Sequence, residues 1–163
     1  MKKVFYSVLG VLILNFSNNA LGSRFPKIQT RSVILSGAEI FVAETQQKDV
    51  LSVNSKTYIL KNGNRENLEL PDEVKQREIL AVFKASPNKV WVVSQWVIEM
   101  GDKPLVSELN LKNQNWEELA RVDCVAHRSI DLTSEGLKFT CLEDDIIEGK
   151  YVEKLKSKTV QLR

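Results

Sequence analysis

The sequence predicts an all-β protein, an antiparallel β-sandwich or barrel of roughly 8–11 short strands, with propeller-like β-hairpin repeats as the alternative. Three observations carry this prediction. Apolar residues recur with a period of two, turn-forming clusters leave a spacing of roughly 8–12 residues per strand, and stripes of helical period are scarce.

Residues 1–22 stand apart from the rest. Met1-Lys2-Lys3 is a short positive start, residues 4–16 are an apolar run interrupted by Ser7, Gly10 and Asn15, and residues 17–22 are polar with small side chains at Ala20 and Gly22. This three-part layout predicts a cleavable export peptide cut after Gly22. The apolar run is shorter than the ~20 residues of a membrane span. The expected product is therefore one β-rich domain over 23–163, periplasmic or secreted, with no membrane span after cleavage. Lys2 and Lys3 are the only charges removed, so the net +2 disappears and 21 basic residues face 21 acidic ones. A neutral chain of mixed sign gives no electrostatic case for nucleic acid or an anionic membrane.

Within the domain, Ser36-Gly37, Lys61-Asn62-Gly63-Asn64, Ser86-Pro87-Asn88, Gly101-Asp102-Lys103-Pro104, Ser134-Glu135-Gly136 and Glu148-Gly149 read as turns. Residues 71–78 form the one candidate helix or long loop, because Pro71 followed by acids suits a helical first turn. Residues 90–100 are apolar on both parities, with Val90, Val92, Trp96, Ile98 and Met100 on one and Trp91, Val93 and Val97 on the other. They predict a long central strand covered on both faces, with Trp96 in the core and Trp91 under lighter cover. Three further stretches alternate as half-buried strands: 105–112, 120–127 and 137–141. The lysines at 150, 154, 156 and 158, with Arg163, gather at the C-terminus. They fit a basic patch or, on the plainer reading, an edge strand protected from pairing.

A faint repeat of about 50 residues emerges when three turn serines are aligned. Ser36, Ser86 and Ser134 each precede an aromatic residue by five positions, Phe41, Trp91 and Phe139, and two residues later come Ala43, Val93 and Cys141. Such a period is in the range of propeller blades, although three units are fewer than a propeller needs.

Few constellations could carry chemistry. Cys124 and Cys141 are the only cysteines, and both fall on the apolar parity of their strands. In an oxidising compartment they predict a structural disulfide. His127 is the only histidine. As a strand residue three positions from Cys124 it is expected on the opposite, wet face, which removes the metal reading of Cys124-x-x-His127. Glu143-Asp144-Asp145 with Glu148 reads as a solvated acidic hairpin tip and lacks the spacing of a calcium loop. No phosphate-binding glycine loop, nucleophile elbow or zinc-protease motif occurs.

No catalytic residue, metal ligand or cofactor is expected. The expected function is an exported binding module acting by protein–protein interaction, inhibitor- or immunity-like, with Trp91 as the candidate partner-binding residue and another protein as the partner. A structural subunit of a cell-envelope assembly is the alternative, and a carboxylate-based hydrolase the third reading. A protruding aromatic anchor favours the first, a long exposed apolar edge the second, and a pocket of convergent acids the third.

Overall fold

The computed structural model describes residues 27–49, 52–97, 103–124, 126–147 and 150–161, so the expected export peptide lies outside the described residues. Strands β1 (Ile28–Ile34), β2 (Glu39–Gln47), β3 (Val53–Lys61) and β4 (Asn64–Leu68) form a first sheet in chain order. One helical turn, α1 (Asp72–Lys75), leads to β5 (Glu78–Ser86), β6 (Lys89–Gln95), β7 (Leu105–Asn110) and β8 (Asn115–Arg121), which form the second. Strands β9 (Ala126–Thr133), β10 (Gly136–Ile147) and β11 (Lys150–Val160) form the third, with β10 in the middle. Among the described residues every pairing is antiparallel and joins chain neighbours. The fold is thus all-β, built as stacked meander sheets, and no barrel closes among the described residues.

Local chemistry sets these turns. Asn62 and Gly63 both take positive φ, 50° and 81°, the conformation of a two-residue hairpin whose twist matches its strands. Pro71 presents the carbonyl that accepts the Val74 and Lys75 amides, and α1 ends there, within the segment expected to be helix or loop.

The second sheet is the middle layer. Val90 and Val92 on β6 pack with Phe41, Ala43 and Leu35 of the first sheet region. Trp91 and Val93, on the opposite parity, pack with Phe139, Cys141 and Leu137 of the third. Each fully buried side chain of this kind stabilises the fold by roughly 1.5–3 kcal/mol. The two-faced apolar character of 90–95 is thereby explained, but the cover on the Trp91 face is a third sheet.

Several expectations need correction. The strand predicted over 90–100 ends at Gln95, because its ladder to β7 runs out at Ser94 opposite Leu105, directly after Pro104. Trp96 lies past the strand end and is only half-buried; residues 98–102 lie outside the described residues. The stretch 105–112 is not half-buried: β7 is covered on both faces, with Val106, Ser107, Glu108 and Leu109 all buried. The stretch 120–127 is not one strand. The Cys124 amide bonds to the Val122 carbonyl two residues back, a tight three-residue turn that separates β8 from β9.

The chain entering β5 passes over three strands of the first sheet in turn. The Arg77 carbonyl accepts from Ser55 on β3 at 2.7 Å, the Ile79 amide donates to Thr45 on β2 at 3.0 Å, and the Leu80 carbonyl accepts from Arg31 on β1 at 2.8 Å. Three residues of extended chain advance about 10 Å, the width of two inter-strand spacings. The start of β5 therefore runs across the first sheet, and side chains satisfy the backbone groups that it presents there.

The 50-residue repeat matches the hairpins but not the packing. Phe41, Trp91 and Phe139 each sit on the second strand of their sheet. Phe41 and Trp91 face the following sheet, whereas Phe139 faces back onto the second sheet, in the same cluster as Trp91.

Candidate functional site

Cys124 and Cys141 form a disulfide, with Cα atoms 5.4 Å apart and both residues buried. It ties the tight turn after β8 to the central strand of the third sheet. Both sulfurs lie in the core between the second and third sheets, as the apolar parity predicts.

His127 is not on the wet face. It pairs in register with Cys141, and opposed residues on antiparallel strands share a face, so its ring lies on the core side and is half-buried. The turn at Val122–Cys124 and a bulge beside Thr140 and Cys141 reset the parity that a continuous strand would have kept. Burial lowers the His127 pKa below its ordinary value, with the Glu78 carboxylate acting in the opposite direction.

Trp91 is half-buried at the edge of the same core. Its indole N–H donates to Glu108 Oε2 at 3.1 Å, directly across the β6–β7 ladder, and Lys89 pairs with the other carboxylate oxygen. Glu108 is only 8% exposed, so this polar group fixes the ring's orientation while part of its surface stays open.

The acidic residues divide by environment. Glu143 and Asp144 lie within β10, not at a hairpin tip, because β11 pairs with β10 along its whole length. Glu143 binds Lys156 at 2.6 Å and Lys158 at 2.8 Å. The hydrogen bond from Lys156, then that from Lys158, holds its carboxyl below the usual range. Asp123, at the tight turn, pairs with Lys103 at 3.4 Å and Lys158 at 3.5 Å. Around α1, Arg121 bridges Glu118 and Glu73, and Glu73 also holds Arg77, which is 1% exposed and lies beneath the Trp96 ring. These arginines hold their carboxylates in fixed ion pairs that join α1 to the second sheet.

A cavity of about 70 Å³ opens where β5 crosses the first sheet, lined by Lys27, Gln29, Thr45, Gln47, Val53, Glu78 and Val97. Among the described residues no three His, Cys, Asp or Glu side chains gather as a metal-binding group, and no helix is long and apolar enough to cross a membrane.

The edge of β11, unpaired among the described residues, is the most distinctive surface. Tyr151 is 82% exposed and Leu155 65% exposed, both on the parity of Leu142, away from the core. Lys154, Lys156 and Lys158 lie on the other parity, in register with Glu143, Cys141 and Phe139. The sequence reading noted the lysines and missed their partners; the same period-two count, carried through 150–158, places Tyr151 and Leu155 on one face.

Comparison of the chain with protein-family models, with curated proteins and with solved structures finds no match.

Proposed function

We propose that the chain is an exported binding module that acts by contact with another protein, in the manner of an inhibitor or immunity protein. The observation that carries this reading is the β11 edge, where Tyr151 and Leu155 project from a strand that, among the described residues, is paired on one side only. Unpaired strand edges recruit extended segments of partners through main-chain hydrogen bonds, and aromatic side chains beside them act as anchors. The disulfide fits an oxidising compartment such as the periplasm or the extracellular medium. Trp91, with its ring fixed by Glu108 and partly open, is a second candidate contact.

The structural-subunit reading draws on the same edge, which is 11 residues long. The lysines along it set it apart from the continuous apolar edge that such assemblies share, so the binding reading comes first.

The test is capture of a partner by the immobilised 23–163 protein from an envelope extract, followed by a titration with the purified partner. A saturable complex of fixed stoichiometry is expected. Trp91→Ala should weaken it by about 1 kcal/mol or more if the ring contributes an anchor. Open-ended co-assembly into polymers would favour the subunit instead, and the absence of any specific partner would end both readings.

A further inference from the structure

The edge of β11 has a charge pattern that restricts what can pair with it. Residues directly opposed on neighbouring antiparallel strands share a face. Lys154, Lys156 and Lys158 share the core-side face, and Lys150 continues the row by parity. Lys103 joins them through Asp123. On this side Glu143 pairs with Lys156 and Lys158, and Asp123 pairs with Lys103 and Lys158, and each ammonium carries three donors.

That row opposes pairing of β11 with a second copy of itself. A two-fold pairing centred on Lys154 sets it against its own copy and Lys150 against Lys158. Centred on Leu155, it sets Lys154 against Lys156. Centred on Glu153, it sets Glu153 against its copy and Lys150 against Lys156. Like charges directly opposed destabilise a ladder, so every well-overlapped register is disfavoured. The same row favours a different strand, one with carboxylates on the lysine side. On the other face, Tyr151 and Leu155 offer apolar contact.

We propose that β11 docks an extended acidic segment of a partner protein as an added antiparallel strand. The segment carries Asp or Glu at alternate positions facing the lysine row and apolar side chains at the positions between, facing Tyr151 and Leu155. This inference rests on the binding reading above and specifies its surface and its chemistry. Exclusion of the wrong strand and attraction of the right one both come from one row of charges, as specificity requires.

The experiment uses the 23–163 protein and three labelled synthetic peptides of 11 residues, the length of β11. One alternates Glu with Val and Leu, one is a scramble of the same composition, and one alternates Lys in place of Glu. Fluorescence anisotropy should show the alternating acidic peptide binding at least tenfold more tightly than the scramble and the basic peptide. The double variant Lys154→Glu/Lys156→Glu should reverse the preference, with circular dichroism checking that it still folds. Amide exchange should show new protection along β11 when the acidic peptide is bound. Equal binding of the scramble, or equal binding of anionic vesicles or an oligonucleotide, would reduce the surface to a nonspecific cation patch and overturn the proposal. No peptide binding at all would also overturn it. A captured natural partner that tolerates Lys154→Glu/Lys156→Glu and is lost on Trp91→Ala would overturn the β11 assignment and leave the binding function standing.

Discussion

Two single positions carry consequences that can be measured directly. His127 is half-buried beside the disulfide, and burial holds its folded pKa below the ordinary value. The unfolded chain therefore binds the proton more readily. The stability linked to this residue is complete above about pH 6.5 and is lost as the pH falls through and below that value. Urea midpoints should drop between pH 7 and pH 5, and the drop should shrink in His127→Gln. Glu73 and Glu143, held low by Arg121 and by Lys156 respectively, titrate below that window and do not mimic the effect. An unchanged pH profile in the variant would place the imidazole in water. The second position is Gly136, whose φ is +131° and where a Cβ would stand 2.0 Å from the Val160 carbonyl oxygen. Gly136→Ala should cost more than about 2 kcal/mol, because the obstacle is backbone and cannot step aside. Gly37→Ala, at φ +55° with nothing within 4 Å, should cost only the left-handed backbone penalty of about 1 kcal/mol. Equal losses at the two glycines in urea denaturation would refute the steric account.

At the scale of elements, the alternation in the sequence was legible where a strand has one wet face, and misleading where it does not. Leu137, Phe139 and Cys141 are buried and Lys138 is exposed, as their pattern says. Strand β7 has nearly the same pattern, yet Ser107 and Glu108 are buried because the first and third sheets cover the second on both sides. Hydropathy cannot report a covering layer that arrives from distant parts of the chain. The break at Val122–Cys124 was hidden for a related reason: a tight turn need not contain glycine or proline, so period two continued through it in the sequence and stopped in the chain. Of the candidate site, the cysteine pair was legible from count and parity, and the lysine row from composition. The position of Trp91 against Glu108 depends on the register of β6 with β7, which no local signal encodes. The disulfide joins that turn to β10, so its removal should act mainly on the third sheet. Reduction, or Cys124→Ala/Cys141→Ala, should remove about 3 kcal/mol in the chain-entropy picture and lower Tm by several degrees or more. A Tm unchanged by reduction would mean that the turn is held by its other contacts alone, the Val122 amide on Pro104 and Asp123 on its lysines.

For the whole molecule, the transverse passage of β5 implies how the layers open. The Ile79 amide finds its acceptor in a threonine hydroxyl of another sheet, outside the ladder that β5 forms with β6. Solvent can reach that amide only when the first sheet and β5 part. Native-state hydrogen exchange at Ile79 should therefore report the separation of two layers, with an opening free energy shared by the β2 and β3 amides beneath it and distinct from that of the third sheet. Thr45→Val keeps the shape, removes the acceptor and should speed exchange at Ile79 well before it affects β9 to β11. If Ile79 exchanges in step with β10 in both proteins, the layers open together and the crossing does not divide the molecule into separate cooperative units.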